Sequence, residues 1–265
     1  MKRRDILAML PSAALMPLLP RLALGATMPA MVPASALKAP DALKTALASP
    51  RRPTEDIKRD DSRKPAETMA FYGVKPGMKV AELMTATGYF TAVLAEAVGD
   101  TGTVYGQNNA WLLERFKDGQ RPLANLVTKQ GYKNIVEVNS ELDDPMLPDG
   151  LDAVFMVMFY HDTVWMNVDR AAMNRAIFKA LKPGGVYGII DHVAPAGAGI
   201  TEVNKTHRIE RQVVVNEVSA AGFQLVEETD LLANPKDPLT VPVFQQELRG
   251  HTNQFVLKFK KTTAQ

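Results

Sequence analysis

Two adjacent pairs of histidine and aspartate, His161-Asp162 and Asp191-His192, are the residues of this chain best suited to chemistry. A neutral imidazole accepts a proton near pH 7, and a carboxylate beside it orients the ring and stabilises its charged form. One histidine of the two pairs is therefore predicted to act as a general base. It would remove a proton from a nucleophilic oxygen or nitrogen, with Asp162 and Asp191 as supporting groups.

Two other interpretations of these pairs stay open. Asp162, Asp191 and a histidine also form a ligand set for a divalent cation, in which mixed nitrogen and oxygen atoms favour a transition metal over magnesium. Alternatively, Asp162 caps a helix and His192 is a hydrogen-bonded turn residue. We keep the base as the prediction and assign no metal ligand. His207 has no definite role at the start of a predicted helix, and His251 is expected to be structural.

The elements that must position these pairs are strands of a parallel sheet. Each pair follows an apolar run typical of a strand buried on both faces. Seven strands are predicted: Lys79–Met84, Thr103–Gln107, Asn134–Asn139, Leu151–Met158, Val186–Ile190, Gln224–Leu231 and Phe255–Lys260. Helices are predicted at Asp56–Tyr72, Phe90–Val98, Trp111–Lys117, Leu123–Gln130, Arg170–Leu181 and Thr206–Ala221, with a short one within Ala36–Ser49. Since ligands bind beyond the carboxyl ends of parallel strands, both pairs belong at that edge.

Residues 75–109 contain the clearest supersecondary unit of the chain, KPGMKVAELMTATGYFTAVLAEAVGDTGTVYGQNN. A short apolar strand is followed by a tight turn at Thr85–Gly88, a helix with one apolar face, a glycine-containing breaker and a second strand. This order is a βαβ unit, so the two strands are predicted to be parallel. The turn then lies where a helix N-terminus directs its free N–H groups towards a ligand.

This unit resembles the first motif of class I S-adenosylmethionine (SAM)-dependent methyltransferases, in which an acid precedes a Gly-x-Gly-x-Gly turn. Glu82 matches the acid, and Met84, Ala86 and Gly88 fall on the three glycine positions, of which only the last is glycine. The LKPGG turn before the fifth predicted strand and the AAGF turn before the sixth recur at the corresponding places. The resemblance covers residues 75–261 and is nearest to exported bacterial methyltransferases of unknown substrate.

The resemblance implies a fold, a cofactor and a set of binding residues. The fold is an α/β, Rossmann-like sheet of seven strands, mostly parallel with an antiparallel last strand, and with helices on both faces. The cofactor is SAM, and the acceptor of its methyl group is a small molecule. The implied contacts are Glu82, Met84, Thr85, Ala86, Thr87 and Gly88 at the methionine end, Gln107 and Asn108 at the ribose, and Ser140 and Glu141 near the adenine.

The first residues resemble a twin-arginine export signal, with Arg3 and Arg4 before a moderately apolar run that extends to Leu24. Prolines within this run argue against a membrane-spanning helix, so no stable anchor is expected after cleavage. Cleavage would follow Gly25 or Ala36, and the protein is expected in the periplasm. Residues 1–36 are thus assigned to the signal, 37–74 to a helical extension and 75–262 to the methyltransferase domain.

The charge of the chain gives no indication of a nucleic-acid surface. Residues 1–36 hold four of the 31 basic residues and one of the 29 acidic ones, so the remainder carries 27 basic and 28 acidic residues. The apparent basicity therefore belongs to the export signal, and no nucleic-acid partner is predicted. The helical extension is charged and is interpreted as a solvated helix, with a lid over the ligand site as the alternative.

A second function remains compatible with the sequence. Met84, Ala86 and Asn108 each replace a residue that favours the cofactor in the resembled family, where glycines and a carboxylate are usual. The chain would then be an exported ligand-binding protein on a degenerate methyltransferase fold, without methyl transfer. Fold alone does not decide between an enzyme and a binding protein.

Overall fold

An eight-stranded mixed sheet organises the computed structural model, which describes residues 29–116 and 122–262. The strands are β1 Ala30–Val32, β2 Lys79–Leu83, β3 Thr103–Asn108, β4 Ile135–Asn139, β5 Leu151–Val157, β6 Leu181–His192, β7 Phe223–Thr229 and β8 Gln254–Lys261. Their order across the sheet is β1-β7-β8-β6-β5-β2-β3-β4. Strand β8 lies antiparallel between β6 and β7, whereas every other pairing is parallel.

The predicted fold class is confirmed, and the strand count differs by one. All seven predicted strands are present, although β6 begins at Leu181 instead of Val186 and pairs with β5 through a register shift near Leu151. The additional strand is β1, which pairs with residues 227–229 of β7 at the edge of the sheet. Its three residues were not predicted, because a strand this short carries no periodic pattern.

The helices cover both faces of the sheet. They are α1 Asp41–Leu47, α2 Thr54–Ile57, α3 Asp60–Arg63, α4 Pro65–Tyr72, α5 Tyr89–Val98, α6 Ala110–Arg115, α7 Pro122–Thr128, α8 Asp162–Trp165, α9 Arg170–Ala180, α10 Val203–Thr206 and α11 Arg211–Ala220, with a 3₁₀ turn at Ala34–Ala36. Helices α4 and α5 belong to one buried apolar cluster, and α9 and α11 to another. Over residues 29–116 and 122–262, none of these helices combines the length and apolarity that crossing a bilayer requires.

Two helices predicted as continuous are divided, and these predictions were wrong. The stretch 56–72 forms parts of α2, α3 and α4, with Lys64 at a φ of 44°. Lys64 precedes Pro65, whose ring disfavours the helical conformation in the residue before it. The stretch 206–221 is divided by His207, which has a φ of 55° and ends α10 four residues before α11 begins. His207 therefore lies in a connection and not on a helix face.

The N-terminal extension packs onto the sheet and onto α5. The Tyr72 hydroxyl donates to the Ile189 carbonyl at 3.2 Å, and its ring contacts Phe155 with centroids 5.2 Å apart. Asp60 accepts hydrogen bonds at 2.7 Å from the buried Arg52 guanidinium and from the Tyr89 hydroxyl. Because Tyr89 is the first residue of α5, these contacts hold the extension beside the turn that follows β2.

Candidate functional site

The backbone of the turn after β2 has the conformation that the glycine motif requires. Met84, Ala86 and Gly88 have φ angles of 55°, 48° and 81°, so all three glycine positions are left-handed. A residue with a β-carbon is disfavoured there by roughly 1–2 kcal/mol. The turn therefore keeps its shape although two of its glycines are absent, and the surrounding structure must offset the strain.

The side chain of Met84 is accommodated by the protein core. It is 2% exposed and belongs to the same buried cluster as Leu112 and Tyr160. Within the described residues, the N–H groups of Ala86 and Thr87 donate to no protein acceptor. Both residues line a small cavity of about 90 Å³. Two residues that line this space thus have N–H groups without a protein acceptor.

The charges around the small cavity suit an amino-acid zwitterion. Glu82 is buried beneath the turn and accepts a hydrogen bond from the Thr91 hydroxyl. Burial raises the pKa of Glu82 to about 8, although Thr91 and Arg63 act in the opposite direction. Burial, with the charge of Arg59, lowers the pKa of Arg63 to about 10. An acid that can ionise, two guanidinium groups and free N–H donors match an ammonium and a carboxylate.

Two residues from the N-terminal extension close the small cavity. Arg59 and Arg63 both line it, and their guanidinium carbons lie 4.9 and 4.8 Å from the centroid of the Tyr89 ring. Arg59 also donates to the Thr87 hydroxyl at 3.4 Å. The sequence alone did not identify these arginines, since their contacts arise only when α3 folds back over α5. They give structural support to the interpretation of this segment as a lid.

The residues predicted to contact the ribose and the adenine lie close together, and their side chains form hydrogen bonds within the protein. The Asn108 amide oxygen accepts from both the N–H and the hydroxyl of Thr85 at 3.0 Å. Gln107 donates to the Ser140 carbonyl at 2.6 Å, and Glu141 accepts from the Ala110 N–H at 3.2 Å. These bonds join the ends of β2, β3 and β4. The cofactor contacts assigned to these residues stay predictions.

A second, larger cavity of about 690 Å³ adjoins the first. This volume is within the range typical of small-molecule sites. Met158 and Phe159, which follow β5, line both cavities. The lining of the larger cavity includes four aromatic side chains besides the histidines, and its polar members are the histidine–aspartate cluster, Arg115 and Asn204. Its aromatic and cluster residues are Trp111, Phe159, Trp165, Phe244, His161, Asp162, His192 and His207.

The two predicted pairs meet through the carboxylate of Asp191, which is fully buried. One oxygen of Asp191 accepts from Nδ1 of His161 at 2.7 Å and from the His192 N–H at 2.7 Å. The other oxygen accepts from the His161 N–H at 2.8 Å. The carboxylate therefore connects the residues after β5 to the end of β6 and orients the His161 ring.

His161 lies between two carboxylates. Its Nε2 lies 3.1 Å from Oδ1 of Asp162, opposite the bond to Asp191. Burial lowers the pKa of His161, but the two carboxylates more than offset this and raise it to about 10. Burial tends to raise the pKa of Asp162, whereas its hydrogen bond to His161 holds it below the usual value. Both nitrogens of His161 therefore face carboxylates, and neither has a lone pair free to take a proton from a bound molecule.

His192 is the histidine of the cluster whose pKa is lowered. Burial, together with the charges of His161 and Arg208, lowers the pKa of His192 to about 4, although Asp191 opposes this. Its Nδ1 lies 2.7 Å from the Thr252 hydroxyl, whereas its Nε2 has no partner among the described residues. A neutral imidazole with a free nitrogen beside a cavity can exchange a proton with a bound molecule.

The structure adds residues that the sequence did not assign. His207 joins the cluster because its Nδ1 lies 3.2 Å from Oδ1 of Asp162 and its ring centroid 5.5 Å from that of His161. Trp111 and Trp165 pack edge to face with centroids 5.1 Å apart, and both line the larger cavity. A signal was present, since the chain has only two tryptophans and each lies a few residues after a strand of the central sheet.

Comparisons with known proteins define the class of this fold. No protein-family model matches the sequence. The chain is 27% identical over 208 residues to the ubiquinone/menaquinone biosynthesis C-methyltransferase UbiE of Pseudoalteromonas translucida, covering 75% of this chain and 73% of that protein. It is 22% identical over 147 residues to a protein-L-isoaspartate O-methyltransferase of Methanococcus maripaludis, covering 56% of this chain and 60% of that protein.

Solved structures agree with this class. A SAM-dependent methyltransferase from Aquifex aeolicus has a TM-score of 0.57 at 20% identity, over 85% of this chain and all of that one. A methyltransferase from Bacillus halodurans scores 0.53 at 16% identity, over 76% of this chain and all of that one. The [4+2]-cyclase SpnF scores 0.54 at 15% identity, over 77% and 81%. The fold is thus the Rossmann-like methyltransferase fold, and the similarities together imply SAM as cofactor.

Replacing Glu82 by glutamine is expected to remove a pH-dependent destabilisation. The pKa of Glu82 is about 8 in the folded protein, against an ordinary value of 4.5, so the folded protein retains a proton that the unfolded chain releases. The contribution of Glu82 to the free energy of unfolding is therefore greatest below pH 4.5. It falls between pH 4.5 and about 8, by at most about 1.4 kcal/mol per pH unit. Urea unfolding of both proteins measures this contribution.

The informative quantity is the free energy of unfolding of the Glu82→Gln variant minus that of the original protein. It should increase as the pH rises through the weakly acidic and neutral range, then level off. A difference that is constant over this range would show that Glu82 is already ionised beneath the turn.

Proposed function

We propose that this protein transfers the methyl group of SAM to a small-molecule acceptor that binds in the larger cavity. The observation that carries the proposal is that Met158 and Phe159 line both cavities. The motif turn lines the small cavity, and the histidine–aspartate cluster lines the larger one. Bound SAM supplies an activated methyl group on a sulfonium, so the chain must chiefly align the reactants and prepare the acceptor.

The small cavity is proposed to hold the methionine end of the cofactor. Glu82 would face the ammonium, while the N–H groups of Ala86 and Thr87 and the guanidinium groups of Arg59 and Arg63 would face the carboxylate. A volume of about 90 Å³ accommodates an amino-acid end but not a whole nucleoside. The rest of the cofactor therefore needs displacement of side chains that close the cavity, and the arginine-bearing extension is the segment placed to move.

The larger cavity is proposed to hold the acceptor. Its aromatic walls favour a planar, mainly apolar molecule with an ionisable hydroxyl or amine. His192 would take the proton of that group through its free Nε2. This assignment moves the base from His161, whose nitrogens are engaged, to His192.

Isothermal calorimetry and turnover assays test the proposal. We expect SAM and its demethylated product to bind with micromolar dissociation constants. With a panel of hydroxylated aromatic acceptors, the His192→Gln variant should lose at least about tenfold in turnover, because general-base catalysis contributes about 10²–10⁴-fold. Its affinity for the demethylated product should stay within about twofold of the original, since His192 lines only the acceptor cavity.

His251→Gln is the matched control, because His251 is exposed and lies outside both cavities. It should change neither turnover nor binding. If a folded sample binds neither SAM nor its product, methyl transfer is excluded and the second candidate, a ligand-binding protein on this fold, takes its place. Equal loss of turnover and product affinity in His192→Gln would contradict the role of base.

Export to the periplasm remains our proposal for localisation, and the arginine pair on which it rests lies outside the described residues. If a signal is removed, the fold favours cleavage after Gly25 over cleavage after Ala36. Strand β1 pairs with β7, and the Ala34 N–H donates to Asp230 at 2.6 Å. Cleavage after Ala36 would remove both interactions from the sheet edge.

Intact-mass analysis of the processed protein distinguishes the two cleavage sites. We expect a mature N-terminus at Ala26, which retains β1. A mature chain that begins at Leu37 would show that β1 is not part of the working protein. Recovery of only the full-length chain from the periplasmic fraction would contradict cleavage at either site.

A further inference from the structure

We infer that His161, Asp162 and His207 form a binding site for a divalent transition-metal ion at the cavity that we assign to the acceptor. Their ligand atoms all lie within 4.8 Å of one another. All three residues line the same cavity of about 690 Å³. The positions of these side chains support a metal site whether or not the protein transfers a methyl group.

The spacing of the ligand atoms matches the coordination shell of such an ion. Nε2 of His161 lies 3.1 Å from Oδ1 of Asp162, and Nδ1 of His207 lies 3.2 Å from the same oxygen. Ligands held at about 2.0–2.2 Å in a tetrahedral shell are separated by about 3.4 Å. An ion could therefore enter among these three atoms with small side-chain movements and replace the proton shared by His161 and Asp162.

The support behind His161 is typical of a metal-ligating histidine. Such a ring usually donates its second N–H to a carboxylate, which fixes its tautomer and orientation. Nδ1 of His161 has this partner in Asp191, at 2.7 Å, and Asp191 is completely buried. The bond leaves Nε2 as the ligating nitrogen. Asp191 thus lies behind the ligands, in contrast to the sequence-based alternative in which it coordinated the cation directly.

Asp162 is fixed in a comparable way. Its Oδ1 receives the Trp165 indole N–H at 2.7 Å in addition to the two histidine nitrogens. Three donors therefore converge on one oxygen, while Oδ2 has no protein partner among the described residues. A carboxylate oxygen held by Trp165 and approached by two imidazole nitrogens is a preformed centre for positive charge.

Three protein ligands on the wall of a cavity leave positions open for water or a substrate oxygen, as in catalytic metal sites. Two imidazoles and one carboxylate favour zinc, cobalt or iron over magnesium. An ion there would face the space that we assign to the acceptor. It would lower the pKa of a bound hydroxyl by its charge, and His192 would remain free as a neighbouring base.

Binding of Co²⁺ and Zn²⁺ to the purified full chain, stripped with chelator, tests the inference. We expect one equivalent of Co²⁺ to give visible d–d absorption, and one equivalent of Zn²⁺ to displace it. Asp191→Asn should weaken the affinity for Zn²⁺ by about 10–100-fold, because Asp191 only orients a ligand. His207→Ala should weaken it more, because this variant removes a ligand. His207 is only partly buried, so its variant should fold even if Asp191→Asn does not.

His251→Ala controls for adventitious binding by a surface histidine and should leave the Zn²⁺ affinity unchanged. Circular dichroism confirms that each protein is folded. The inference is overturned if the folded original chain takes up no Co²⁺ or Zn²⁺. It is also overturned if His207→Ala binds Zn²⁺ as tightly as the original chain. Neither result bears on SAM binding, which is measured separately.

Discussion

The buried carboxylate of Asp191 is the constraint on which the arrangement of the site depends. A charge without solvent exposure is tolerated only when hydrogen bonds and an opposite charge surround it. Asp191 obtains these from the backbone and ring of His161 and from the backbone of His192. Satisfying one carboxylate therefore fixes the segments after β5 and β6 relative to each other. It also directs His161 towards Asp162, and through Asp162 towards His207.

The fold places two sets of polar groups in neighbouring but separate cavities. The turn after β2 combines a strained left-handed backbone, a buried acid and arginines from the extension, whereas the strands next to it end in the histidine–aspartate cluster. Met158 itself has a left-handed φ of 58° where the two cavities meet. Strained backbone often marks functional sites, because the surrounding structure must hold it against its local preference. The methyl donor and the methyl acceptor could thus be held in separate cavities until both are bound.

The sheet was predictable from the sequence, because each strand has a distinct apolar run and each turn has its glycines or prolines. The same apolar patterns could not locate the breaks at Lys64 and His207, where single residues adopt left-handed conformations. They also could not reveal that Asn108 binds Thr85, since that bond depends on how the ends of β2 and β3 align. His161, Asp162, Asp191 and His192 were brought together correctly by strand-end reasoning. Their individual roles stay predictions, because these roles depend on which nitrogen faces which carboxylate.

The crystal structure of a complex with S-adenosylhomocysteine tests the central claim most directly, namely that a cofactor site at the turn opens towards the cluster. The account predicts density for the amino-acid end against Glu82 and the N–H groups of Ala86 and Thr87. The sulfur would point to Met158, which lines both cavities, and Arg59 and Arg63 would shift to face the carboxylate of the amino-acid end. Density confined to the aromatic cavity, with the turn and both arginines unchanged, would contradict it.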